Sequence, residues 1–152
     1  MIILSLILGI LIASFVEYSL HKIYLHKNEH DHLLVHHKQY LGDSFVQDVK
    51  FKDVASSLGY ILSNILIIAI ICIPIYLYNN YLMYLTLLFS SLYIVWVEWI
   101  HFMFHSSKNY FFKKYKIFKN LRNHHYIHHQ VFNKNFNIGS NIWDKFLKTL
   151  KK

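Results

Sequence analysis

Cysteine is nearly absent: Cys72 stands alone in 152 residues, so no internal disulfide forms and no oxidising compartment is implied. Proline occurs once and glycine four times, which leaves little for turn-rich β architecture or for flexible linkers. The chain has no Gly-x-Gly-x-x-Gly, no His-Pro-Gly-Gly and no cysteine cluster, so a bound dinucleotide, a haem carried on such a signature and an iron–sulfur cluster are all excluded as expectations. Acids are scarce, eight against sixteen Lys and Arg. The imbalance is local. Residues 106–152 hold eleven Lys and Arg against Asp144 alone, whereas residues 21–57 hold five lysines and five acids. A basic tail could serve nucleic acid. Beside long apolar runs, attraction to anionic lipid headgroups is the better reading, and no nucleic-acid partner is expected.

The apolar runs are what the chain has in abundance, at 55% of residues. One domain over 1–152 is expected from the length. Residues 1–20 are apolar apart from Ser5, Ser14, Glu17, Tyr18 and Ser19, and they show no clear basic start or cleavage site of a signal peptide. Residues 58–78 and 81–97 carry no charge. About 20 residues of helix cross the ~30 Å hydrocarbon core. The expected architecture is therefore all-α and integral to the membrane, with about three transmembrane helices. Asn79-Asn80 forms the turn between the second and third, and Pro74 kinks the second near its end. Apart from Glu17 and Glu98, every charged residue lies in 21–57 or 106–152. An odd number of spans puts both segments on one face, and the positive-inside rule makes that face, with the C-terminus, cytoplasmic. Phe45, Val49, Phe51 and Val54 give the stretch 45–60 a partly amphipathic pattern that suits an interfacial segment.

All twelve histidines fall within 21–37, 101–105 and 124–129. Neutral imidazole ligates iron and zinc well, and several rings must converge to fill a coordination sphere. His21 and His26 are five apart, about 140° on an ideal helix, and share a site only if the helix ends or distorts between them. His32 and His36 are four apart and are expected to face one way, with His37 adding a second direction. His101 and His105 form a two-ligand helical face. In Asn-His-His-Tyr-Ile-His-His, His125, His128 and His129 have the spacing i, i+3, i+4, and His124 is an alternative partner for His128. His30 and His124 taken singly read as structural. Glu17 and Glu98 stand one turn before histidines, where a carboxylate either orients an imidazole or pairs at the membrane edge. Trp143 and Asp144 are expected to pin the C-terminal segment, whose apolar face runs through Ile142, Phe146, Leu147 and Leu150. Tyr93, Trp96, Trp99, Phe102 and Phe104 either line a path for substrate or pack at the membrane interface, the second being the commoner use.

These groups together resemble the eight-histidine signature of membrane desaturases and hydroxylases. More narrowly, the chain resembles the fatty acid hydroxylase superfamily, which includes sterol desaturases. The residues that carry the resemblance are Glu17–His26, His32–His37, His101–His105, Leu121–His129 and the segment 135–149. It implies a histidine-rich helical cap on membrane helices, holding two metal ions, taken as di-iron, that activate O2. The implied ligands are His21, His26, His32, His36, His37, His101, His105, His125, His128 and His129. It also implies a lipid substrate, a fatty acyl chain or a sterol, that is hydroxylated or desaturated. The electrons would come from a separate donor, a reductase or a b-type cytochrome. Three departures stand out: three residues rather than two separate His32 from the His36-His37 pair, Lys22 replaces an arginine, and Lys148-Thr149 replaces glycine–threonine. The rival functions are a membrane metal-binding or metal-transport protein and a non-catalytic homologue. Transporters set polar ligands near the bilayer midplane, and no histidine lies in 58–97.

Overall fold

The computed structural model describes residues 1–26 and 32–152. His30 lies outside them. The described residues are helical, in the order α1 (Ile2–Leu20), α2 (His37–Gln39), α3 (Phe51–Val54), α4 (Leu58–Ile71), α5 (Ile73–Tyr78), α6 (Asn80–His105), α7 (Lys116–Gln130) and α8 (Ile142–Phe146). Two π-helical turns, His21–Leu25 and His32–His36, follow α1 and precede α2.

Helix α6 packs most extensively against α1. Small residues let the two backbones close up: a Cβ on Gly9 would come within 2.9 Å of the Thr86 carbonyl oxygen and of Phe89 Cβ. Ser90 Oγ donates to the Gly9 carbonyl at 3.1 Å, and Ser5, Ala13 and Thr86 are buried beside it. This is how helices associate where lipid removes the hydrophobic drive between them. The outward faces stay apolar: Ile3, Leu66, Leu77 and Val95 are all more than half exposed.

Two segments are long and apolar enough to cross a membrane, Ile2–Leu25 and Asn80–His105. The expected second span, 58–78, is divided instead. Its 14-residue helix α4 ends at Ile71, and α5 restarts with Pro74 in its first turn. Proline has no N–H and its ring collides with the carbonyl four residues back, so the break comes at Cys72 rather than at the proline. Asn79 makes the turn as expected: its Oδ1 accepts from Leu82 N–H at 2.8 Å and caps α6. The amphipathic stretch 45–60 is a short connection: Gln47 N–H donates to the His105 carbonyl and Ser107 N–H to that of Gln47, both at 2.8 Å, which ties the loop to the end of α6.

Candidate metal centre

Each histidine reaches the centre for a local reason. In a π-helical turn the hydrogen bond closes i to i+5, so residues five apart come to nearly the same face. The turn His21–Leu25 thereby brings His26 round to His21, the distortion that their spacing demanded. The turn His32–His36 does the same for His32 and His37. His32 and His36 do face the same way, their rings stacked 4.9 Å apart between centroids, yet their ligand nitrogens belong to different groups, His32 with His37 and His36 with the histidines of α6. In α6, His101 and His105 share a face as ordinary helical neighbours. In α7, His125 and His129 point one way and His128 the other.

The result is two groups of five, in each of which the nitrogen ligand atoms lie within 4.8 Å of one another: His21, His26, His32, His37 and His128; and His36, His101, His105, His125 and His129. Their rings adjoin, with His37 stacked on His129 at 4.4 Å between centroids. All ten histidines singled out from the sequence are in these groups. His124 is not. It faces away, and its Nε2 lies 3.1 Å from Asp144 Oδ2.

The donor set fits a pair of metal ions. His21 Nδ1 donates to the Phe136 carbonyl at 2.6 Å, and His128 Nδ1 donates to the Lys134 carbonyl at 2.6 Å. A carbonyl only accepts, so both protons are fixed on Nδ1 and each neutral ring has a bare lone pair on Nε2. Those two Nε2 atoms are 3.1 Å apart. Two lone pairs cannot hydrogen-bond to each other; a cation between them removes the repulsion. In the second group His105 Nδ1 donates to the Phe45 carbonyl at 2.9 Å, and its Nε2 is 3.1 Å from that of His125. The buried Nε2 atoms of His36 and His101 have no hydrogen-bond partner, an orphaning that a metal would end. Backbone carbonyls on the far ring nitrogen are the usual means of aiming a metal-binding imidazole.

Burial, reinforced by neighbouring imidazoles, holds His32, His36, His37, His125 and His129 far below the ordinary histidine range, and His128 is pushed down to about 3. These rings are therefore neutral and ready to ligate at physiological pH. The linkage has a definite sign. An unfolded chain takes up protons at about 6.5, whereas folded His128 takes them up only near 3, so the unfolded state binds more protons between these values. Metal-free protein in detergent is expected to keep its full stability above about pH 6.5 and to lose it progressively toward pH 3. Thermal unfolding at stepped pH checks this, and a midpoint that stays flat down to pH 4 would contradict it.

The C-terminal segment holds the carbonyls in place. Asp144 is fully buried and accepts from the backbone N–H groups of Phe136 and Asn137 at 2.8 Å, from Thr149 Oγ1 at 2.7 Å and from His124. Burial alone would raise its carboxyl, but the bonds from His124, Thr149 and Asn137 outweigh that and hold it below the usual value. Trp143 Nε1–H donates to Ser14 Oγ, so the segment is pinned to α1. Among the described residues neither Glu17 nor Glu98 hydrogen-bonds a histidine. Glu17 accepts from Asn137 Nδ2 at 2.8 Å and Ile138 N–H at 2.7 Å, and Glu98 accepts from Ser56 N–H at 2.8 Å. Lys148 sits at φ 58°, a left-handed position that suits the glycine it replaces in the resemblance.

A cavity of about 810 Å³ opens beside the two groups. His32 and His36, one from each group, face it, and the rest of its wall includes Tyr24 from the first π turn and Tyr60, Ser63 and Ile67 from α4. None of Tyr93, Trp96, Trp99, Phe102 and Phe104 lines it. Trp96 and Trp99 border a separate apolar hollow with Phe112 and Phe118, and Phe104 packs on His125.

Ten histidines in two adjoining groups narrow the relatives such a chain can have, and a sequence profile decides among them: that of fatty acid hydroxylase matches residues 6–149. The chain belongs to the fatty acid hydroxylase family. The match takes in both histidine groups and the C-terminal clamp. Fatty acid hydroxylases are generally oxidoreductases, and membership points to di-iron for the pair of ions that the groups are able to bind. The comparison with curated proteins found no match, and neither did that with solved structures.

Proposed function

We propose that this fatty acid hydroxylase family member is an O2-dependent membrane enzyme that hydroxylates or desaturates a fatty acyl chain or sterol. The observation that carries the reading is the cavity wall: His32 and His36, from different histidine groups, face one space whose wall sets Leu20, Leu25 and Ile67 beside the polar Gln39, Asp53 and Ser57. The ten histidines would be the ligands of a di-iron centre. When bound, the irons supply the O2 activation that no side chain can. The chain itself holds the imidazoles neutral and aimed, and it admits an acyl chain between α1 and α4.

In this reading α4 and α5 together make the second of three spans. The cap faces the cytoplasm, as the charge of 106–152 argues. A separate protein delivers electrons.

The test is purified, iron-loaded protein with a chemical reductant, membrane lipid extract and 18O2. The expected product is a lipid heavier by one labelled oxygen, or lighter by two hydrogens. Gly59 lines the cavity, and a Cβ there meets nothing nearer than Ser57 Oγ at 3.9 Å. Leucine at that position projects into open space, so Gly59→Leu is expected to lower turnover about tenfold or more by displacing the lipid, with iron content unchanged. Product formation at the wild-type rate would remove this cavity from the account.

A further inference from the structure

Phe45 is buried against the second histidine group. Its ring lies 4.7 Å from that of His105, 5.4 Å from His129 and 5.9 Å from His125, between centroids. Its carbonyl accepts from His105 Nδ1. On the outer side Phe45 meets Tyr126 edge-on at 5.1 Å, and Tyr126 is 37% exposed. The two rings form the floor of a shallow depression of about 400 Å³ whose other residues include Asp43, Lys119, Arg122 and Asn123. Two aromatic rings thus lead from the surface to three of the five histidines.

The position and charge of the depression limit what docks there. It is built from the loop around Gly42–Phe45 and the middle of α7, neither of which belongs to the apolar helices. Lys119 and Arg122 outnumber Asp43 on its wall. The segment that supplies both cations carries eleven Lys and Arg, and its one acid, Asp144, is buried and bonded to His124. Charge complementarity steers an acidic partner to such a face. The chain has no electron-carrying motif of its own.

We infer that the Phe45–Tyr126 depression is the docking port for an acidic protein bearing a one-electron centre at its surface, and that electrons pass there to the second histidine group. The inference rests on the proposed function. Each docking oxidises one carrier by one electron. Two such electrons, two solvent protons, O2 and the lipid C–H give the lipid C–OH and one water. Arg122 also donates to the Phe104 carbonyl, so Lys119, exposed and without a structural bond in the depression, is the cleaner probe.

The test uses the full chain in detergent with the soluble haem domain of an acidic b-type cytochrome. Lys119→Glu is expected to weaken cytochrome binding to the metal-free protein about tenfold at low ionic strength, with the difference vanishing at high salt. In iron-loaded protein under nitrogen, the same variant slows reduction by the ferrous cytochrome while dithionite reduces it at the wild-type rate. Phe45→Leu slows the cytochrome reaction at saturating cytochrome. Equal cytochrome binding and reduction in wild type and Lys119→Glu would overturn the port. So would a variant that loses only its binding to anionic vesicles, which would give Lys119 to the membrane. Failure of wild-type protein to load iron would count against the metal reading instead, and the dithionite control separates the two.

Discussion

His128→Ala and His129→Ala are each expected to lower lipid oxidation by more than about a hundredfold, the upper end of what loss of an outer partner of a metal ligand costs. The two residues are sequence neighbours, yet they serve different groups. His128 faces His21 and His26, while His129 faces His125. The variants should therefore lose different ions first. Because both ions are needed for turnover, the double variant should be little worse than either single one, the non-additivity of residues that act as a unit. Steady-state turnover and iron content of the three variants check this. Losses that multiply in the double variant would mean that the two groups act independently.

Asp144→Ala has the second largest expected effect, although Asp144 touches no member of either group. Its removal leaves His124 and the N–H groups of Phe136 and Asn137 without their acceptor in a buried site, and leaves Thr149 only Tyr18 Oη at 3.2 Å. Breaking such a buried network costs about 3–5 kcal/mol. The loop it releases carries the Phe136 and Lys134 carbonyls that fix the protons of His21 and His128. Iron affinity of the first group should fall by about 10–100-fold and that of the second group by less. Asp144→Asn keeps one acceptor oxygen and should lie between. Iron titration of detergent-purified variants reads this directly. Two ions bound as tightly as in wild type would reduce the clamp to a purely structural role.

The long apolar runs made two of the three expected helices legible, Ile2–Leu25 and Asn80–His105, because about 20 apolar residues in a row have few alternatives to helix where a membrane is the solvent. The histidine windows likewise announced a convergent site. The helical phase was legible only in part. A period of 3.6 places His32 with His36, and their rings do stack, but the π turn also brings His32 to His37, whose group it joins. A signal for it was present in the repeated interval of five, at His21 and His26 and again at His32 and His37. The choice of His125 over His124 required the tertiary contact of His124 with Asp144. The roles imagined for Glu17 and Glu98 fell to Phe136, Lys134 and Phe45. These act through backbone carbonyls, which every residue has and no side-chain pattern reveals. The cavity was missed for a related reason: its wall joins Tyr24 to Tyr60 and Ser63, which are distant in sequence and meet only through packing of α1 beside α4.

The claim at the centre is that the opposed imidazole lone pairs exist to hold metal. Elemental analysis of the purified full chain after iron reconstitution tests it most directly. Two irons per chain are expected, one for each histidine group. One fewer is expected in His21→Ala, which removes one of the two facing Nε2 atoms. A wild-type chain that binds no iron, or a His21→Ala chain that binds as much as wild type, would contradict it.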